Sequence, residues 1–214
     1  MTRRWICLAA LMAALSGCGT VVEEGSALGQ SFEELQRNRV DFVPRFIALL
    51  QDEAPTLQVG FIDLEINGNL LLERQDGAYE YWLSPDGGQI VLQSGMLHST
   101  RGFGEGLLAS DLSAPLALVL NLQSGWSDRF HTYLDGNDFA VTRTYRCRIE
   151  NEGPRSVDIL GTSVDTQLMR ESCRSLDQEF VNLYWVVPSR RTIVLSRQWA
   201  GPEIGAVSTR VVPR

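Results

Sequence analysis

His98 and His131 are the only imidazoles in the chain, so histidine-based acid–base chemistry or metal ligation would rest on these two residues. Ser94, Ser99, Ser124 and several aspartates could join them in a nucleophilic triad on paper, but no Gly-x-Ser-x-Gly elbow is present. Two distant histidines and scattered carboxylates make a poor metal set, so neither a metal nor a cofactor is expected. Gly102-Phe-Gly-Glu-Gly106 has the look of a phosphate loop, yet its third glycine comes one residue early for a dinucleotide fingerprint. A turn with unusual backbone angles is the better reading. All 19 basic residues are arginine, which leaves no lysine for a P-loop, a Schiff base or a Ser-x-x-Lys dyad. Spacing leaves one catalytic arrangement open, because any two of the 26 acidic side chains could meet as a glycoside-cleaving pair. No motif commits the chain to a reaction, and a protein that is not an enzyme is expected.

Aromatic residues offer binding rather than catalysis. Trp82, Trp126, Trp185 and Trp199, with Tyr79, Tyr81 and Tyr184, are numerous enough to line a sugar-binding face, although most such rings pack in cores and sheets. Trp82 and Trp126 are the candidates for sugar contact. Trp185 lies in Phe180-Val-Asn-Leu-Tyr-Trp-Val-Val-Pro188, which reads as a mostly buried strand.

Cys18 has a different chemistry. Arg3 and Arg4 precede eleven apolar residues, Trp5 to Leu15, a run too short for the roughly 20 needed to span a bilayer but suited to a secretory signal. Leu15-Ser-Gly-Cys18 at its end resembles a bacterial lipobox. The resemblance implies cleavage after Gly17, a diacylglycerol on the Cys18 sulfur and a fatty acid on its new amine. Each buried acyl CH₂ contributes about 0.8 kcal/mol, so two or more chains hold a protein to a membrane that it does not cross. Gly19 follows, where enterobacterial lipoproteins kept in the inner membrane carry aspartate. The expected location is the outer membrane, lipid-anchored, on the periplasmic face.

Loss of residues 1–17 leaves 197 residues, enough for one good-sized domain or two small ones. The formal charge of -7 becomes about -9 once Arg3 and Arg4 leave, which argues against a nucleic-acid partner. Cys7 departs with the signal and Cys18 carries lipid. Cys147 and Cys173 then remain together in an oxidising compartment, where a disulfide is the default. A metal site would lack further ligands, and a redox pair would normally show Cys-x-x-Cys.

The remaining pattern positions these residues. Residues 18–30 read as a lipidated tether and 31–214 as a single β-rich domain. Ser31-Phe-Glu-Glu34 is a capping box, and the apolar spacing after it predicts a helix over about 32–50, kinked or split at Pro44. Strand-like runs follow at 57–64, 70–74, 79–83, 89–92, 116–122, 130–134, 139–150, 157–162, 180–187, 192–198 and 206–212. Asp86-Gly87-Gly88 and Asp135-Gly136-Asn137 read as hairpin turns. Residues 164–176 fit a short helix or a loop equally. The fold expected is mainly β, an antiparallel sheet, sandwich or barrel-like domain with an N-terminal helix after a lipoprotein signal peptide.

Four segments carry a wider resemblance. Near the C-terminus, the strand Asn182-Leu-Tyr-Trp185 is followed by a turn, Ser196-Arg-Gln-Trp199, Gly201-Pro202 and a last strand ending at Pro213. Earlier come Tyr81-Trp-Leu-Ser-Pro-Asp-Gly87, Gly95-Met-Leu-His-Ser-Thr-Arg-Gly102 and Leu107 to Leu112. In this order, over residues 57–213, the chain resembles the YjbF/GfcB family of outer-membrane lipoproteins associated with exopolysaccharide and group 4 capsule production. It departs from the family in a larger turn at Gly102 to Gly106. The resemblance implies an antiparallel β-rich domain and a non-enzymatic accessory role in polysaccharide production or export. It implies as partners the membrane, polysaccharide and proteins of the export machinery, and it brings no catalytic residues. The Cys147 and Cys173 pair also fits it. Two alternatives stay open: a polysaccharide-modifying enzyme with a carboxylate pair, and a lipid or lipoprotein carrier with an apolar cavity.

Overall fold

Inward-facing and outward-facing residues alternate along most of the chain after Ala54, and this period of two builds strands. In β7 (Gly125–Leu134), Ser127, Arg129, His131 and Tyr133 are buried while Trp126, Asp128, Phe130 and Leu134 are exposed. A computed structural model describes residues 42–134, 137 and 139–212. The signal, Cys18, the tether and the first half of the expected helix lie outside the described residues.

Six strands precede β7: β1 (Thr56–Phe61), β2 (Ile66–Asp76), β3 (Tyr79–Leu83), β4 (Gln89–Gln93), β5 (Met96–Arg101) and β6 (Leu107–Asp111). Five follow it: β8 (Ala140–Ile159), β9 (Thr162–Arg174), β10 (Glu179–Val187), β11 (Thr192–Trp199) and β12 (Ala206–Val211). They form one antiparallel twelve-stranded sheet in the order β5-β4-β3-β2-β1-β12-β11-β10-β9-β8-β7-β6. The sheet curls until its two edge strands meet, giving a nearly closed barrel. No backbone ladder joins β5 to β6. Instead His98 Nδ1 lies 3.0 Å from the Ser110 carbonyl, and the Leu107 N–H donates to Thr100 Oγ1 at 2.9 Å. The connecting turn is the glycine-rich segment singled out above. Gly102 and Gly104 have φ of 82° and 83°, and a Cβ on Gly102 would stand 3.0 Å from the Gly88 backbone.

Two helices complete the described residues. Helix α1 (Pro44–Gln51) sets Phe46 against Leu71 and Leu83. The part of the expected helix before Phe42 lies outside the described residues, so the kink or split expected at Pro44 is not tested. The fixed φ of proline suits a first turn, and Pro44 opens α1. Helix α2 (Ser113–Leu120) replaces the strand expected over 116–122. Its sequence, Ser-Ala-Pro-Leu-Ala-Leu-Val-Leu, is apolar on every side, and so short an apolar run shows no decisive period. Val119 and the preceding Leu112 pack with Met96, Ile149, Met169, Tyr184, Val186 and Ile193.

The segment 164–176, fitting helix or loop, lies almost wholly in β9. The runs expected at 139–150 and 157–162 lie mostly in one strand, β8, which is irregular between Asn151 and Pro154. Proline removes a ladder donor, and a bulge is where a sheet tolerates it. The β3–β4 hairpin turns at Asp86-Gly87-Gly88 as expected, with the Ser84 N–H donating to the Gly88 carbonyl at 2.8 Å. The expected turn at 135–137 falls mainly outside the described residues.

Cys147 and Cys173 stand opposite each other in the β8–β9 register and form the expected disulfide, with Cα atoms 4.0 Å apart. In the chain-entropy view, closing a loop with a sequence separation of 26 stabilises by about 3.5 kcal/mol. The double variant Cys147→Ala/Cys173→Ala should lose about this much, read from urea midpoints. Reduced wild-type protein should match the variant, whereas equal midpoints for oxidised and reduced protein would show that the bridge contributes nothing.

Candidate functional site

The barrel interior is filled. Leu57, Ile90, Leu92, Leu107 and Val207 are fully or almost fully buried in one cluster, and α2 anchors a second. A carrier would need an enclosed apolar chamber. The concavities of about 480, 560 and 780 Å³ open instead to solvent.

Alternation also turns ionisable groups inward. Arg129 from β7 and Glu171 from β9 form a buried ion pair, Nη1 to Oε2 at 3.1 Å. The same carboxylate oxygen accepts from Tyr184 OH at 2.7 Å and from Asn182 Nδ2 at 2.8 Å. Asn182 Oδ1 in turn accepts the Trp199 N–H at 2.7 Å. Burial alone would lower the Arg129 pKa, but Glu171, Tyr184 and Tyr133 together push it above its ordinary value. Burial drives Tyr184 well above its ordinary value. His131, 2.8 Å from Tyr133 OH, is held well below its ordinary value by burial and then by the Arg129 charge, so its imidazole is neutral.

This cluster is a poor catalytic site. It contains a single carboxylate, and Glu171 has no exposed surface. Cys147, Glu171 and Cys173 bring potential ligand atoms within 4.8 Å of one another, but the disulfide consumes both thiolates and the set does not fit a metal. Glu80, on the inward side of β3 with Trp82, has a raised pKa. Burial raises it, and a 3.3 Å bond from Trp82 Nε1 partly offsets that. Among the described residues no second carboxylate shares the hydrogen bonds of either group.

The two tryptophans proposed for sugar contact separate. Trp82 is 3% exposed and packs in the interior with Leu70 and Ile90, so it is corrected to a core residue. Its position on the inward side of β3 makes the indole a filler. Trp126 is 56% exposed on the outward side of β7. Register places it beside Arg148, and Arg148 beside Ser172 of β9. The next row holds Asp128, Arg146, Arg174 and Glu179 on β7 to β10. A groove of about 780 Å³ runs over this face, lined by Trp126, Arg146, Arg148, Arg170, Arg174 and Glu179 among others. The sequence analysis missed the four arginines. Their signal is the spacing Arg146-x-Arg148 and Arg170-x-x-x-Arg174, which puts each pair on one strand face, and only the register joins the pairs.

The class defined is a single-sheet β-barrel domain with a filled interior and an accessible, grooved outer wall. The chain belongs to the family described as group 4 capsule polysaccharide lipoprotein gfcB, YjbF, which matches residues 29–212. This bears out the resemblance and places the chain among capsule-associated lipoproteins. The crystal structure of the hypothetical lipoprotein YmcC from Escherichia coli K12 has a similar fold, with a TM-score of 0.67 at 18% identity. The alignment covers 88% of this chain and 96% of that one. A comparison with curated proteins gave no match.

Two tests separate structure from catalysis inside the barrel. Glu171→Gln leaves Arg129 charged and buried without its partner, and should cost about 3–5 kcal/mol. Arg129→Met/Glu171→Leu should recover most of that loss by denaturant melting, and failure to do so would assign the pair more than a packing role. His131 supplies a pH signature. Its unfolded pKa is near 6.5 and its folded value lies well below that. Below pH 6.5 the unfolded chain binds a proton that the folded chain resists, so this stability is fully present above 6.5 and falls on acidification. The slope contributed is about 1.4 kcal/mol per pH unit, and His131→Gln should abolish it in melts between about pH 7 and pH 5.

Proposed function

We propose that the protein is a lipid-anchored lipoprotein on the periplasmic face of the outer membrane, serving as a non-enzymatic accessory factor in exopolysaccharide or capsule production and export. Membership of the capsule polysaccharide lipoprotein family over residues 29–212 carries the proposal. The Leu15-Ser-Gly-Cys18 motif supports the anchor, with Cys18 as the lipidated residue and residues 18–30 as its tether. The interior supports the non-enzymatic part: Glu171 is committed to Arg129, Tyr184 and Asn182, and among the described residues no second carboxylate shares its hydrogen bonds. The partners in this role are the bilayer, polysaccharide and proteins of the export machinery.

Deletion of the gene should reduce surface or secreted polysaccharide under conditions where it is made, and the intact gene should restore it. A Cys18→Ser chain should leave the outer-membrane fraction and fail to restore the polymer. Unchanged polymer in the deletion strain would sink the accessory role. Recovery of the intact chain in the inner-membrane fraction would sink the location.

A further inference from the structure

We infer that the outer groove of β7 to β10 is a binding site for carboxylate-bearing polysaccharide, with Trp126 as the platform for a sugar ring and Arg146, Arg148, Arg170 and Arg174 as its carboxylate ligands. The inference rests on the capsule-polysaccharide reading for its ligand class and on the groove for its chemistry.

Its arginine content sets the groove apart. The whole chain has a formal charge of -7, yet the groove lining holds four arginines and a single acid, Glu179. Asp128 and Glu150 lie beside it and each takes one nitrogen of its arginine: Arg146 Nη1 to Asp128 at 2.8 Å and Arg148 Nε to Glu150 at 2.9 Å. Arg174 Nη2 meets Glu179 at 2.7 Å, and Arg170 is held more loosely, 3.9 Å from Glu152. A guanidinium carries five N–H donors in a planar fork, so each arginine retains donors for a bidentate carboxylate. Exposed ion pairs of this kind contribute about 0–1 kcal/mol, so a ligand carboxylate exchanges for them at little cost.

The aromatic platform is open. Arg146 and Arg148 stand 5.4 and 5.5 Å from the Trp126 ring centre, whereas Arg74 lies 3.8 Å over Tyr81 and covers it. Both guanidinium groups lie over the indole at this longer distance, and Trp126 remains 56% exposed. Ring and cations sit on neighbouring strands, about 4.8 Å apart. Four strands then carry the groove about 14 Å across the sheet, a length suited to a chain rather than one sugar. Lysine in these places would offer point charges. Arginine offers planar forks that pair with carboxylates, and every basic residue of this chain is arginine.

The test titrates the full lipidated chain in detergent with oligogalacturonate as the acidic probe and maltooligosaccharide as the neutral one. Oligogalacturonate should bind, more weakly at high salt, and the neutral probe should not. Trp126→Ala and Arg146→Gln/Arg148→Gln should each weaken binding about tenfold or more. Arg155→Gln, outside the groove, should leave it unchanged. Thermal melts of the variants show that the fold persists. Three results would overturn the site: no binding of the acidic probe, equal binding of the neutral probe, or binding that survives Trp126→Ala. Binding to phosphatidylglycerol vesicles that the groove variants abolish, with none to oligogalacturonate, would overturn it in favour of a membrane surface. Loss of polymer in the deletion strain, alongside any of these, would remove the groove proposal and leave the accessory role standing.

Discussion

The free edges of a sheet govern this structure. A strand without a neighbour exposes a row of unpaired N–H and C=O groups, a template for aggregation. Here the sheet bends until β5 and β6 face each other, and His98 and Thr100 bond the backbone of the opposing edge. Curling creates a second demand. About eight strands enclose a space that side chains alone just fill, and this sheet has twelve. The extra volume is met in two ways. Helix α2 packs against the inner wall, and long polar side chains reach inward. Gln198 extends from β11 to β5, where it accepts from the Leu97 N–H at 2.7 Å and donates to the Gly95 carbonyl at 3.0 Å.

The buried Arg129–Glu171 pair belongs to the same solution. A charged pair inside a protein carries a large desolvation cost, and it survives where hydrogen bonds complete it. Tyr184 and Asn182 supply such bonds to one oxygen of Glu171, while Glu171 Oε1 and Arg129 Nε and Nη2 have no partner among the described residues. Their geometry requires β7, β9 and β10 in one alignment, which makes the pair a device for specifying alignment more than for adding stability. The interior is thus committed to holding the barrel. What remains accessible to a partner is the outer wall, where the alternation delivers Trp126 and the arginine rows.

Much of this was legible in the sequence, for physical reasons that also mark the limit. Period-two alternation and turn residues identified nine of the strands in whole or part, because half-buried strands write their environment into residue type. The cysteine pair was legible because compartment and count left few alternatives. Helix α2 was not, because an all-apolar segment has no period to read. Residues 164–176 were undecided because β9 carries Glu171 inward, where alternation predicts an apolar residue. Trp82 and Trp126 look alike in sequence, and only the facing of β3 and β7 tells core from surface. The arginines were invisible as a group because three of the four groove strands bring them together with Trp126, and pairing between strands is not written in either strand alone.

The disulfide has a consequence for the outer face. It joins residues opposed in β8 and β9, directly between the rows that carry Arg146 with Arg174 and Arg148 with Ser172. A slip of one residue between two strands sends every side chain of one of them to the opposite face. The covalent link forbids that slip, so the arginine wall and the oxidised cysteines are two sides of one alignment. Reduction removes this clamp, and the alignment that sets the outward face then rests on backbone hydrogen bonds and packing alone.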